Sequence, residues 1–90
     1  MSATLLVALA ESLARLATDI DLTDDEEVDP DLATRWFEDL AYRLDQLSRE
    51  DRSKLAEIVR QMAERESVPA RRGALLEFPE NLGLDQDDEP

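Results

Sequence analysis

The sequence contains no cysteine and no histidine. Without cysteine there is neither a disulfide framework nor a thiolate metal site. Without histidine the chain lacks the commonest general base and the commonest ligand of transition metals. Lys54 is the only lysine, so the hydroxyl side chains have a single candidate amine to activate them. There is also no Gly-rich phosphate loop and no dinucleotide fingerprint. We therefore predict no catalytic residues and no cofactor, and expect that the chain is not an enzyme.

Long hydrophobic runs are also missing. The N-terminal stretch "MSATLLVALAESLARLA" is apolar, but it has no basic region before its apolar residues, and Glu11 and Arg15 interrupt it. It therefore fits neither a secretory signal peptide nor a membrane span. A cytoplasmic location is the expectation.

Basic residues are too few to balance the acidic ones, and the net charge is -13. The excess is concentrated in two places. The acidic segment, residues 19–31 ("DIDLTDDEEVDPD"), holds eight carboxylates and no basic group, and residues 85–90 ("DQDDEP") hold four more. Nucleic acids and anionic membranes carry the same sign of charge and are not expected to bind. A basic protein is favoured as partner.

The acidic segment does not follow the pattern of a calcium-binding loop. An EF-hand loop that began at Asp19 would need glycine at its sixth position and glutamate at its twelfth. The sequence has Asp24 and Pro30 there. Neither the turn nor the bidentate ligand is present, so no metal site is predicted.

What is present is a helical pattern of leucine and alanine. It predicts an all-α fold, a small bundle with three main helices near residues 3–18, 30–47 and 49–66. A short C-terminal helical segment should start at Pro69 and end before Pro79, because the residue before a proline avoids helical geometry. Residues 1–84 are interpreted as a single helical domain with an acidic linker at 19–29. Residues 85–90 should form a disordered acidic tail.

The first helix carries two apolar stripes side by side. Leucines form one of them, and small residues such as Ala10 and Ala14 form the other. Such a wide apolar surface has two interpretations: the helix is central in the bundle, or its alanine side meets a second subunit in a homodimer.

The second and third helices each have a clear apolar stripe. Trp36 lies within the stripe of the second helix and is predicted to be core, whereas Tyr42 falls roughly opposite the centre of that stripe. An exposed tyrosine on a polar helix face is a typical interface anchor, unless the fourth helix or the tail covers it. The third helix should turn Leu55, Ile58, Val59 and Met62 inward, with Ala56 and Ala63 at the edge of its apolar side.

The acidic segment, the stretch "VDPDLATRWFEDLAYRLDQLSREDR" and the ending "FPENLGL" together resemble the small acidic helical proteins found among bacterial immunity proteins and antitoxins. The resemblance covers most of residues 20–84 in general style. It implies a protein that neutralises a toxin, often a nuclease, whose basic surface an acidic segment can occupy.

Two functional hypotheses follow. The first is a small acidic binding protein that neutralises or regulates a basic partner, in particular an immunity protein that blocks a toxin. The second is a structural or regulatory interaction module that self-associates or docks on a larger enzyme, with the acidic segment as a solvated loop only. Under the first hypothesis the partner-binding residues are Asp21, Asp24, Asp25, Glu26, Glu27, Asp29, Asp31 and Tyr42.

Overall fold

The computed structural model describes residues 2–84, which form four α-helices and no strand. The helices are α1 (Ala3–Leu22), α2 (Pro30–Asp45), α3 (Arg49–Arg65) and α4 (Pro69–Asn81). The predicted all-α bundle is confirmed. The first helix runs four residues further than predicted, so residues 19–22, expected in the linker, are helical. The tail at 85–90 lies outside the described residues.

Three of the helices begin at side chains that cap their free amide groups. Ser2, Asp29 and Ser48 each accept a hydrogen bond from a backbone N–H two or three residues further on, at 3.1, 2.9 and 3.1 Å. Each cap satisfies a donor that the first helical turn leaves without an intrahelical partner. The starts of α1, α2 and α3 therefore follow from short polar signals in the sequence.

The core lies where α3 packs against α1 and α4. Leu55, Ile58, Val59 and Met62 of α3 are buried as predicted, whereas Ala56 and Ala63, expected at the edge, have no exposed surface at all. From the other elements the core takes Ala10, Ala14 and Ala17 of α1, Leu75 and Phe78 of α4, and Leu82 and Leu84 beyond it.

On α1 the alanine side faces the core and much of the leucine side faces solvent. Ala10 and Ala14 are buried, whereas Leu5, Leu9 and Leu16 are 48%, 52% and 60% exposed. Small side chains allow two helices to approach closely, because the distance between helix axes depends on the side chains at the contact. Of the two interpretations of this helix, central packing therefore holds for the alanine side. Ala10, Ala14 and Ala17 are buried within the chain and are therefore not free to contact a second subunit.

Helix α2 is the outermost element and packs mainly on α1. None of its residues is buried, although Leu40 and Leu44 are half-buried against the core. Trp36 is 46% exposed, so its predicted place in the core is wrong. The apolar arc of α2 is wider than the surface it packs on, and Trp36 lies in a part of the arc that stays exposed.

An ion pair fastens the end of α2 to α3. The guanidinium Nη1 of Arg52 lies 3.1 Å from Oδ1 of Asp45. The Arg52 side chain is buried, whereas the Asp45 carboxylate is mostly exposed to solvent. A buried charge needs such a partner, because removal from water costs free energy that only pairing offsets.

Helix α4 continues through Pro79 to Asn81, so the predicted end before Pro79 is wrong. Pro79 is fully buried, and burial of its ring offsets the one helical hydrogen bond that a proline forfeits. The chain leaves the helical path after Leu82, at Gly83, which has a φ of 70°. Leu84 N–H donates to the carbonyl of Pro79 at 2.8 Å and Gly83 N–H to that of Glu80 at 3.2 Å. This pair of bonds is a Schellman motif, in which glycine supplies the left-handed residue.

Candidate partner-binding surface

The acidic segment covers the last turn of α1, the connection Thr23–Asp29 and the first turn of α2. Its eight carboxylate side chains all belong to exposed residues. The structure therefore places seven of the eight predicted partner-binding residues in one continuous surface region: Asp21, Asp24, Asp25, Glu26, Glu27, Asp29 and Asp31.

The connection between α1 and α2 is a folded turn. The carbonyl of Asp24 accepts hydrogen bonds from the backbone N–H groups of Glu27 at 2.9 Å and Val28 at 3.1 Å. The Thr23 hydroxyl donates to the carbonyl of Asp19 and closes the end of α1. Val28 is half-buried, whereas the carboxylates on either side of it point outward to solvent. The turn thus presents its charges in a fixed place between two helices.

Part of this charge is placed unfavourably for the helices themselves. The last turn of α1 contains Asp19 and Asp21 and no basic residue. Carboxylates at a helix C-terminus face the negative end of the helix dipole, which raises the free energy of the folded state. Asp29 and Asp31 are placed favourably, because they lie at the positive end of α2. Stability alone therefore gives no reason for Asp21 at the end of α1.

Asp19 is the one carboxylate of the acidic segment that forms an ion pair within residues 2–84. Its partner is Arg71 on α4, with Nη1 of Arg71 2.8 Å from Oδ1 of Asp19. The hydrogen bond to Asp19 is the main cause that raises the pKa of Arg71. The other seven carboxylates have no ion pair in that part of the chain, so their charge is available to a partner.

The basic pair on α4 is occupied by the chain itself. Arg71 also lies 3.1 Å from a carboxylate oxygen of Glu66, and Arg72 donates to the carbonyl of Glu66 at 3.0 Å. Arg71 thus bridges Glu66 and Asp19 of the acidic segment. These arginines therefore do not form a free basic patch on α4.

Tyr42 is 70% exposed, and no described residue covers it. It lies eleven residues after Asp31 on α2, with Glu38 between them. Residues at spacings of seven and four share one stripe of a helix, so these three exposed side chains form a row about 16 Å long. A row of exposed side chains thus extends from the acidic segment along α2 and ends at the ring of Tyr42.

Sequence reasoning missed Glu38 and misplaced Trp36. Glu38 could have been found, because its spacing from Asp31 and Tyr42 puts it on their stripe. The exposure of Trp36 had no such signal, since an apolar residue within an apolar arc normally faces the core. Trp36 lies on a different side of α2 from Tyr42 and does not belong to the acidic row.

The described residues hold no group of three or more acidic side chains arranged to bind a metal ion. In the same range no helix combines the length and apolar character needed to cross a membrane. Comparison of the chain with protein-family models, with curated proteins and with solved structures finds no match. The feature of the molecule that indicates a function is its surface, a fixed acidic region joined to an exposed tyrosine.

Proposed function

We propose that this chain is a small binding protein that neutralises or regulates a basic partner protein, and in particular an immunity protein that blocks a bacterial toxin. One observation carries the proposal. Seven exposed carboxylates of the acidic segment have no ion-pair partner within residues 2–84, although the rest of the chain pairs many of its charges.

The two parts of the surface would have different tasks. The exposed carboxylates attract a basic partner over a distance of about one Debye length and raise the association rate. Tyr42 then provides a short-range contact, because its ring buries apolar area while its hydroxyl keeps a hydrogen bond. Charge would thus govern how fast the complex forms, and the aromatic anchor how long it lasts.

A nuclease is the toxin class that fits this surface best. An enzyme that cuts nucleic acid needs a basic surface for the phosphates. An acidic segment on that surface excludes the substrate by occupying its site. The proposal places the encounter in the cytoplasm, where the sequence leads us to expect the chain.

The proposal is tested by capture on the immobilised chain, using extract of the source cells. The binding variant changes Asp24 and Asp25 to Asn, and Glu26 and Glu27 to Gln. The matched control changes four exposed glutamates outside the acidic segment to Gln: Glu57, Glu64, Glu77 and Glu80. Both variants lose four negative charges, so only the position of the loss differs.

We expect wild type and control to retain the same basic protein at low salt and to release it at high salt. The binding variant should retain much less of it. Equal retention by the binding variant would contradict a role of the acidic segment in recognition.

A second candidate function, self-association, is favoured by the leucines of α1. Leu5, Leu9 and Leu16 are all about half exposed and lie within roughly 40° of one another around the helix. If this stripe is a dimer contact, Leu9→Glu should yield folded monomers from a wild-type dimer. A wild-type chain that sediments as a monomer at high concentration removes this candidate. Ala10→Glu is unsuitable as a test, because Ala10 is in the core and the substitution would unfold the chain.

A further inference from the structure

Helices α1, α2 and α4 leave a cleft of about 400 Å³ between them, the α1–α2–α4 cleft. Its apolar lining includes two phenyl rings, from Phe37 and Phe78, and the small side chains of Ala41 and Ala74. The volume lies within the range of pockets that hold a ligand or an inserted side chain. The alanines leave space that larger residues at the same positions would fill.

Within the described chain, every ionisable side chain that lines this cleft is a carboxylate. Asp21 contributes one from the end of α1 and Glu38 the other from α2. Two like charges beside one apolar cavity repel each other, and a cation between them is attracted to both. The faces of the phenyl rings also favour a cation. The charge of the cleft therefore selects a positively charged group.

A second observation at the same cleft is Thr18, which lies in its wall. Thr18 is 3% exposed, and its hydroxyl forms no hydrogen bond with any group of residues 2–84. Buried hydroxyl groups are nearly always hydrogen-bonded, so this wall of the cleft contains an unsatisfied polar group. A guanidinium has five N–H donors, enough to contact both carboxylates at once.

The cleft also lies within the proposed binding surface. Asp21 belongs to the acidic segment, and Glu38 to the row on α2 that ends at Tyr42. An occupant needs an apolar stem for the phenyl rings and a planar cation with several donors for the two carboxylates. Among protein side chains arginine has this combination.

We propose that the α1–α2–α4 cleft accepts an arginine side chain of the basic partner, between the carboxylates of Asp21 and Glu38. The inference rests on the proposed function, since the arginine belongs to that partner. Beyond that function, it specifies the cleft into which one side chain of the partner is inserted and identifies that side chain as an arginine. Arginine is also among the residues most often found at the energetic centre of protein interfaces.

The first test needs no partner. The full chain is titrated with N-acetyl-arginine methylamide, and its amide signals are followed by NMR; the neutral isostere N-acetyl-citrulline methylamide is the control ligand. We expect saturable shifts at Ala41, Ala74 and Phe78 with the arginine probe and none with the citrulline probe. In the variant Asp21→Asn with Glu38→Gln the arginine probe should bind about tenfold more weakly or worse.

The control variant for this titration is Glu57→Gln with Glu77→Gln, which loses the same charge outside both the cleft and the acidic segment. It should bind the arginine probe nearly as wild type does. The inference is overturned if the arginine probe shifts no cleft residue, if citrulline gives the same response, or if both variants weaken binding equally.

The second test uses the captured partner. Loss of the Asp21 and Glu38 charges should speed dissociation about tenfold or more. A variant with Asp25→Asn and Glu27→Gln, whose charges lie outside the cleft, should mainly slow association. Equal dissociation from both variants would contradict the cleft as an anchor site and leave steering by the acidic segment intact. Failure to capture any basic partner would contradict the proposed function but leave the result of the probe titration standing.

Discussion

At the scale of single residues, exposure separates side chains that the sequence pattern treats alike. Trp36 and Leu40 belong to the same apolar arc of α2, but Leu40 packs against the core and Trp36 is about half exposed. The pattern identifies the arc correctly and does not identify its buried centre. That centre depends on how α2 is docked on α1, which no local signal specifies.

Trp36 gives a direct optical test of this docking, because it is the only tryptophan. We expect its fluorescence in the folded chain to resemble that of a solvent-exposed indole and to be quenched readily by acrylamide. Unfolding in urea should change the emission maximum little. A strongly blue-shifted emission that acrylamide cannot quench would place Trp36 in the core and contradict this arrangement of α2.

The two glycines should respond to alanine in opposite directions. At Gly83 the backbone has a φ of 70°, where a Cβ is strained, so Gly83→Ala should destabilise the chain by about 1–2 kcal/mol. At Gly73, inside α4, an added Cβ meets no atom within 4 Å. Gly73→Ala should therefore stabilise by about 0.5–1 kcal/mol through the higher helix propensity of alanine.

Urea unfolding of both variants measures the two changes in the free energy of unfolding. Each variant is the control of the other, since both replace a glycine near the same end of the chain. If Gly83→Ala is neutral or stabilising, the Schellman ending of α4 is wrong.

At the scale of the elements, the helices differ in how firmly they are held. α3 has seven buried residues, whereas α2 has none and packs mainly on α1. Helix starts could be read from the sequence, because serine, aspartate and proline signals act locally. The end of α4 could not be read from the sequence, because the burial of Pro79 is a result of tertiary packing. Gly83 ends a helix only where its backbone adopts a left-handed conformation, and the sequence does not show where that happens.

Hydrogen exchange should reveal this difference. An element with few buried contacts opens at lower free energy than the rest of the protein. We therefore expect the amides of α2 to exchange faster than those of α3 by at least about tenfold, with Val59 and Met62 among the slowest. Equal protection of α2 and α3 would show that the chain opens only as a single unit.

At the scale of the whole molecule, the excess negative charge of the described residues lies mainly in the exposed acidic segment, away from the core that α1, α3 and α4 form. The acidic segment could be located from the sequence alone, because charge is visible residue by residue. The row of exposed side chains that extends it to Glu38 and Tyr42 could be predicted only in part. The α1–α2–α4 cleft could not be predicted at all. A cleft is formed by side chains of three helices, and their relative positions are tertiary properties.

This separation predicts that the four charges at Asp24, Asp25, Glu26 and Glu27 are dispensable for folding. The variant with Asp24 and Asp25 changed to Asn, and Glu26 and Glu27 to Gln, should unfold at the same or a slightly higher temperature than wild type. Its neutral side chains no longer repel one another, and the Asp29 cap, worth about 1 kcal/mol, is kept. Asp29→Ala is the contrasting variant and should destabilise by about that amount. A large loss of stability in the quadruple variant would give the segment a structural role.

The measurement that tests the central claim most directly is the association rate of the captured partner as a function of salt, for wild type and for this quadruple variant. Steering by exposed charge is screened beyond about 10 Å at 0.1 M salt. We predict that the variant associates more slowly at low salt, that its rate depends less on salt, and that its dissociation rate changes little. An unchanged association rate with an unchanged salt slope would contradict the account, because the acidic segment would then be a solvated connection between two helices and no part of the binding surface.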